Sequence, residues 1–334
     1  MGSLQQYANL VSSVVHNVQA KLGLRGTKTK GSITKSTAIE LNDHGFAVAE
    51  VIRDGDSFKI TNSQFVHNTN HNIRSELISE MFQRRSISAH HVTMVLSGNS
   101  YKFLLAEAPE APLESLRFVM PNKIKDSLPW KVSEVTADVL PLPPDAFRGR
   151  KNSVYVAVAQ KKYLEDQLNL LNGVNIEPEA ITTMEMAIKA YWHIIKPEKN
   201  TSIGILRMNE TGGVIVMMCD GAVYLARRII VDLASLSDEG VNRQDVFDQV
   251  VLEIQRSVDF YESQLGKGAV SQIIMLPPPM DLGIGFEYIE QNISTDISVL
   301  NPFEELNYDQ ELSIKDQAYC TGAIGAAIEG LKNV

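Results

Sequence analysis

A three-strand pattern occurs twice in this chain, about half its length apart. The first copy runs Ala38-Ile39-Glu40-Leu41-Asn42, then Phe46-Ala47-Val48-Ala49-Glu50-Val51, and after Asp54-Gly55 continues as Ser57-Phe58-Lys59-Ile60. The second runs Ile203-Gly204-Ile205-Leu206-Arg207-Met208-Asn209, then Gly213-Val214-Ile215-Val216-Met217-Met218, and after Asp220-Gly221 continues as Val223-Tyr224-Leu225-Ala226. Asp-Gly favours a two-residue hairpin turn, whose central positions need positive φ. A meander repeated in this way predicts two similar lobes facing each other across a cleft.

The 334 residues, 44% of them apolar, are enough for two cores. Cys219 and Cys320 lie among apolar or small residues without metal-type spacing and read as buried thiols rather than a disulfide. No window approaches the roughly 18 consecutive apolar residues of a membrane span. The net charge of −9 argues against nucleic acid as a partner, because phosphate contacts need clustered cations. The charge is unevenly spread. Lys21, Arg25, Lys28, Lys30 and Lys35 lie in a start that has no acid before Glu40. There, Leu4, Tyr7, Val11, Val14, Val15, Val18 and Leu22 form one apolar stripe at helical spacing. Residues 1–35 thus read as a basic amphipathic helix and tail. The helix packs on its own domain or contacts an anionic membrane surface, unless the stretch imitates an organelle transit peptide.

Further along, periodicity predicts a helix over 72–85 and a short buried strand over 92–96. A smaller unit follows, with strand 101–106, helix 113–128, strand 134–140, strand 154–159 and helix 163–171. Pro121 should kink or split the first of these helices. The order predicts a compact sheet covered by helices on one face. Tyr101, Phe103 and Leu105 alternate and share a sheet face, either packed under helix 113–128 or lining a groove. Strand 176–181 and helix 184–195 return to the first lobe, and 196–201 reads as the interlobe linker. In the second lobe come a helix over 243–265, a strand over 272–276 stopped by Pro277-Pro278-Pro279, a strand over 297–300, and a Gly/Ala-rich helix over 318–331. The resulting organisation is 1–35, a first lobe of 36–97 and 173–198, an inserted subdomain of 98–172, and a second lobe of 199–334.

Other chemistries lack their patterns. His67 and His71 flank a turn and share no face, and His90-His91 precedes a strand, so they read as loop histidines rather than a metal site. Gly204, Gly212 and Gly213 form neither a dinucleotide nor a P-loop arrangement, and no serine sits in a nucleophile elbow. Arg227-Arg228, at a strand end, reads as a surface or interlobe salt-bridge element.

Several stretches in order carry a resemblance: Tyr101-Lys102-Phe103-Leu104-Leu105-Ala106-Glu107-Ala108-Pro109, Leu128-Pro129-Trp130, and Val154-Tyr155-Val156-Ala157-Val158-Ala159. To these add Asp220-Gly221-Ala222-Val223-Tyr224-Leu225-Ala226-Arg227-Arg228, Leu252-Glu253-Ile254-Gln255-Arg256-Ser257-Val258-Asp259-Phe260-Tyr261-Glu262, and Gly322-Ala323-Ile324-Gly325-Ala326-Ala327. Over roughly residues 37–331 the chain resembles the PilM-like, actin-like scaffold family of type IV pilus assembly, and within it the MshI-type proteins of MSHA (mannose-sensitive haemagglutinin) pilus biogenesis. The resemblance implies an α/β fold: a two-lobed actin-like (ribonuclease H-like) ATPase fold with a small α+β inserted subdomain. It implies a cytoplasmic protein peripheral to the inner membrane, whose partner is the cytoplasmic tail of a bitopic inner-membrane pilus assembly protein, with the pilus assembly ATPase as a further partner. The tail would lie in the groove between inserted subdomain and first lobe, with Tyr101, Phe103, Leu113 and Leu116 as groove residues.

Nucleotide-binding members of the superfamily carry Asp-hydrophobic-Gly at the first turn of each lobe. The carboxylate holds the metal through water and the glycine lets backbone N–H groups cradle phosphate. In this chain the Asp positions correspond to Glu40 and Arg207 and the Gly positions to Asn42 and Asn209. A family Lys becomes Ala47, and the Gly-Gly bend that accommodates adenosine falls on Pro277–Pro279. These departures predict a scaffold that is not an enzyme and has no cofactor. Two alternatives stay open: an ATP-binding protein of the actin and sugar-kinase superfamily, and the cytoplasmic scaffold of a type II secretion platform.

Overall fold

A computed structural model describes residues 34–149, 152–238, 240–308 and 312–331. The apolar stripe of residues 4–22 and the basic residues up to Lys30 lie outside them. Strands β1 (Lys35–Asn42), β2 (Gly45–Asp54) and β3 (Ser57–His67) form the first antiparallel meander. Helix α1 (Arg74–Arg84) leads to β4 (Val92–Leu96), which lies parallel to β1. The insertion comprises β5 (Tyr101–Glu107), α2 (Leu113–Lys123), β6 (Val135–Pro141), β7 (Ser153–Gln160) and α3 (Lys161–Asn172). Strand β8 (Pro178–Thr183) then pairs parallel to β4, and two short helices follow, α4 (Met184–Lys189) and α5 (Trp192–Ile195).

The second lobe repeats the plan. Strands β9 (Ser202–Asn209), β10 (Gly212–Cys219) and β11 (Ala222–Ile229) make its meander. Helix α6 (Arg243–Phe260) ends in a π-helical segment at Tyr261–Leu265 and precedes β12 (Val270–Met275). Helix α7 (Ile284–Asn292), β13 (Asp296–Val299), α8 (Pro302–Glu305) and α9 (Ile314–Gly330) complete the described chain. Sheet orders are β3-β2-β1-β4-β8 and β11-β10-β9-β12-β13, with matching strand directions, so the two lobes have one topology.

The two Asp-Gly turns are not equivalent. In the second, Cys219 pairs with Ala222, and Asp220 (φ 50°) and Gly221 (φ 76°) are the central residues, as expected. In the first, Asp54 pairs with Ser57, so the loop is Gly55-Asp56, and of these two only Gly55 has positive φ, at 61°. A glycine at the first central position suits the turn that needs positive φ there alone.

Alternation along β1 and β2 divides the first sheet into two faces. Ile39, Leu41, Phe46 and Val48 pack with Ile78, Met81 and Phe82 of α1. The same cluster takes Leu164, Leu168 and Leu171 of α3. Helix α3 therefore packs against the first lobe together with Tyr101 and Ala159 of the insertion's sheet, so the two helices do not lie on one face of that sheet as expected. Helix α2 covers the opposite face of that three-stranded sheet, ordered β5-β7-β6, through Leu116 and Met120 against Val139, Val154, Val156 and Val158. Pro121 lies in the last turn of α2, which stops at Lys123 and gives way to a separate 3-10 turn at Lys125–Ser127.

The other face of the first sheet, with Ala38, Ala47 and Ala49, meets α9. This helix falls in the span 199–334 expected to form the second lobe, yet it packs on the first. Small residues make that possible. A Cβ at Gly325 would overlap the Ala187 carbonyl of α4, and one at Gly322 would overlap Glu40.

Candidate functional site

Both meanders reach the interlobe cleft through the same turn. Asn42 pairs with Gly45 and Asn209 with Gly212. Gly45 (φ 154°) and Gly212 (φ 134°) adopt backbone that side chains rarely take, and a Cβ would strike the Val66 carbonyl in one lobe and the Ile229 carbonyl in the other. The asparagines close these turns on themselves. Asn42 Oδ1 accepts from the His44 N–H at 3.0 Å, and Asn209 Oδ1 accepts from the Thr211 N–H at 3.0 Å and its hydroxyl at 3.2 Å. The turn amides that would face a phosphate already have acceptors, as in other Asx turns.

Two residues upstream of each asparagine the lobes diverge. Glu40 on β1 and Arg207 on β9 are 1% and 6% exposed, and Arg207 Nη2 donates to Glu40 Oε1 at 3.5 Å. Arg207 Nε donates to Thr321 Oγ1 at 2.9 Å, which ties both strands to α9. Glu40 Oε2 is buried without a partner. A guanidinium opposes Mg²⁺, which seeks carboxylate and water oxygens. Pro277-Pro278-Pro279 follows β12 directly, just after Leu276 donates the last ladder bond to Leu206 at 2.8 Å. Arg207 and the capped turns do not suit a magnesium nucleotide.

A second buried network joins the insertion, the first lobe and the second lobe. Tyr101 (β5) is 1% exposed; its hydroxyl donates to Glu185 Oε2 (α4) at 2.6 Å and accepts from the Met184 N–H at 3.1 Å. Arg228 (β11) lies over the Tyr101 ring at 4.5 Å, with Nε 3.7 Å from Glu185 Oε1 and Nη1 donating to the Gly98 carbonyl at 2.8 Å. Burial, joined by the Glu185 charge, drives the Tyr101 phenol well above its ordinary pKa, against the pull of Arg228. Nearby, the Ala226 N–H donates to Tyr155 Oη at 2.8 Å, while Tyr224 and Lys267 both bond Asp145. The insertion thus bridges both lobes. Glu185, the acid of this network, carried one sequence signal: it sits alone between Met184 and Met186 in an otherwise apolar stretch.

The structure separates the four expected groove residues. Tyr101 and Phe103 lie on the β5 face turned toward the lobes, where Phe103 stacks on Tyr155 at 4.9 Å. Leu113 and Leu116 pack on the opposite face with Leu104 and Val156. The expectation that Tyr101, Phe103 and Leu105 pack under the helix after β5 fails for the same reason: strand alternation gives that helix Leu104 and Ala106 instead. The lobe-facing side forms an apolar groove enclosing about 820 Å³, including space open to solvent. Phe103, Leu140 and Ala157 line one wall, Ile181 and Met186 the other. Consecutive β6 residues, Thr136 to Leu140, border it, and β6 is an edge strand.

Two of the four histidines pair with carboxylates. His67 Nε2 is 3.0 Å from Asp316 and His91 Nδ1 is 3.0 Å from Glu179. Among the described residues no three His, Cys, Asp or Glu side chains converge to hold a metal, and no helix is long and apolar enough to cross a membrane.

No protein-family model matches the chain, and no curated protein matches it in sequence. Among solved structures it is similar to a PilM–PilN type IV pilus biogenesis complex, with 15% identity, 90% of this chain and 98% of that one covered, and a TM-score of 0.67. It also matches the cytoplasmic domain of EpsL, an inner-membrane component of the Vibrio cholerae type II secretion system (11% identity, 87% and 94% covered, TM-score 0.48). A Bacteroides thetaiotaomicron protein with an actin-like ATPase fold gives 11% identity, 83% and 95% covered, and 0.48. With its duplicated sheet topology and inserted subdomain, the chain has the two-lobed actin-like fold.

Proposed function

We propose that the protein is a non-catalytic, actin-like scaffold of a type IV pilus assembly platform of the MSHA type, working at the cytoplasmic face of the inner membrane. The observation that carries this reading is the buried Glu40–Arg207 pair. It places a fixed cation where a nucleotide-binding relative needs a metal-holding carboxylate, so the cleft is held by the protein's own charges. The partner is the cytoplasmic tail of a bitopic pilus assembly protein, and the pilus assembly ATPase is a further contact. The apolar groove supports the tail's site, because an edge strand beside an apolar wall can add a peptide strand and seat its side chains. A structure of like fold containing two pilus proteins, PilM and PilN, supports the same reading.

Calorimetry against ATP with Mg²⁺ at millimolar concentration should give no binding heat. A dissociation constant below about 100 μM, roughly −5.5 kcal/mol, would overturn the non-catalytic reading. For the tail, Phe103→Ala should weaken binding by roughly 30-fold, as truncating an aromatic anchor worth about 2 kcal/mol does. Leu116→Ala, on the far face of the sheet, should leave affinity unchanged in the folded protein. The reverse pattern would move the site to the α2 side.

A further inference from the structure

Among the described residues, the apolar groove between insertion and first lobe has two charged side chains in its lining, Asp138 and Glu329, and both are acids. Glu329 Oε1 pairs with Lys189 at 3.3 Å, whereas Oε2 is buried without a hydrogen-bond partner among those residues. Glu329 also marks where the chain enters the fold. Gly330, next to it in α9, abuts the start of β1 so closely that a Cβ there would lie 2.3 Å from Ser36 Oγ. One acidic end of the groove is thus beside the point that residues 1–33, outside the described residues, lead into. Their sequence matches the groove in order. Lys21, Arg25, Lys28 and Lys30 come shortly before β1, and the apolar stripe with Val11, Val14, Val15 and Val18 lies further upstream. A connector over 23–33 can span up to about 36 Å, and a helix over 4–22 is about 28 Å long, so the stripe reaches the groove from Ser36.

We propose that the stripe of residues 4–22 docks in this groove as an intramolecular occupant, with the basic residues that follow it against the Glu329 end. A tethered segment meets its site at an effective concentration in the millimolar range, so a few apolar side chains and one charge contact are enough to hold it. The composition of the stripe favours a protein surface over a membrane. Helices that lie on anionic lipid carry Lys and Arg on their polar face. Here the face opposite the valines has Gln5, Asn9, Ser13 and His16, and no Lys or Arg precedes Lys21. The docking itself does not depend on the pilus reading. Its consequence does: where the groove also takes a pilus protein's tail, the segment competes with it, and the Phe103→Ala comparison on the tail then belongs in a chain whose segment is released.

The test is thiol labelling of the full chain near neutral pH, where Cys219 and Cys320 are buried. Thr136→Cys places a reporter in the groove lining, and Lys123→Cys places a control on the exposed side of α2. Iodoacetamide should modify the groove thiol about tenfold more slowly than in the same chain carrying Val14→Asp and Val15→Asp, as a groove covered about nine-tenths of the time requires. A synthetic peptide of residues 1–30, added to the Asp-bearing chain, should restore the protection saturably. Lys21→Gln with Arg25→Gln should weaken protection by a few-fold, and so should salt raised from about 0.05 to about 0.5 M. The Lys123→Cys control should label at one rate throughout. Equal rates at Thr136→Cys with and without the Asp pair would overturn the proposal, as would protection that appears at Lys123→Cys too. Binding to anionic vesicles that the Asp pair abolishes, with the groove thiol labelling at one rate, would assign the segment to a membrane instead. None of these measurements uses a nucleotide or a pilus tail, so their failure is separate from failure of the scaffold reading.

Discussion

The first and second meanders end their first strand with the same device. Each has an asparagine folded back on its turn and a glycine opening the next strand in a conformation that excludes a side chain. Two residues earlier they are opposites, with Glu40 in one lobe and Arg207 in the other. The shared part is local: it shapes each turn from within its own lobe and needs nothing across the cleft. The differing part has meaning only when the lobes face each other, because each buried charge has its counter-charge on the other lobe. A frame common to the two lobes is kept, while Glu40 and Arg207 differ and address one another across the cleft.

Breaking the charged difference should have the largest effect. Arg207→Ala leaves Glu40 buried without its counter-charge and should cost about 3–5 kcal/mol, read from urea or thermal unfolding. The double variant Glu40→Leu with Arg207→Met removes both charges. It should be near neutral or more stable, since a buried pair has already lost its hydration. If Arg207→Ala were tolerated at under about 1 kcal/mol, the pair would not be holding the lobes together.

The shared frame predicts the next effect. Gly45→Ala and Gly212→Ala each force a methyl group onto a neighbouring strand's carbonyl in positive-φ backbone, and each should destabilise by more than about 1 kcal/mol. The two losses should be similar. A large loss in one lobe and none in the other would show that the duplication is geometric only.

Much of this frame is legible in the sequence, because period-two alternation and turn residues act over a few positions. The meander of each lobe and the end of the helix soon after Pro121 follow from such signals. The offset of the first Asp-Gly turn does not, since Asp54-Gly55 and Asp220-Gly221 read alike until pairing is known. Partners distant in sequence are also hidden. Glu40 and Arg207 are separated by 167 residues, and the resemblance marks them as departures from a pattern without showing that they meet. Helices α3 and α9 show ordinary apolar faces whose destination in the first lobe depends on tertiary packing. Tyr101 reads as a groove aromatic, yet its hydroxyl is committed to Glu185.

A finer comparison concerns the asparagines. Asn209 Oδ1 takes two hydrogen bonds and Asn42 Oδ1 takes one within its turn. Both turns are exposed, so Asn42→Ala should cost about 0.5–1 kcal/mol and Asn209→Ala somewhat more, within the range of ordinary hydrogen bonds. Amide hydrogen exchange would resolve this where melting curves cannot: the His44 and Thr211 amides should each exchange faster in their own variant. Unchanged exchange would mean that the asparagines do not cap their turns.

Near neutral pH the smallest difference is between the two thiols, and it opens only in alkali. Burial raises the pKa of both, and Cys320, on α9 against the first lobe, is pushed up to about 12. In the unfolded chain a thiol ionises near 8.5, so the folded state holds Cys320 protonated where the unfolded state does not. Its contribution to stability is therefore complete below that value and is lost as pH rises toward 12. The loss amounts to about 1.4 kcal/mol per pH unit within that window. Cys320→Ala should flatten the alkaline limb of the stability curve above about pH 9, whereas Cys219→Ala, on the second meander, should flatten it less. Iodoacetamide labelling at pH 9 should likewise modify Cys219 before Cys320, which is fully buried. Equal labelling rates in the folded protein would mean that α9 lifts readily from the first sheet, and would weaken the case that the Arg207–Thr321 link holds it there.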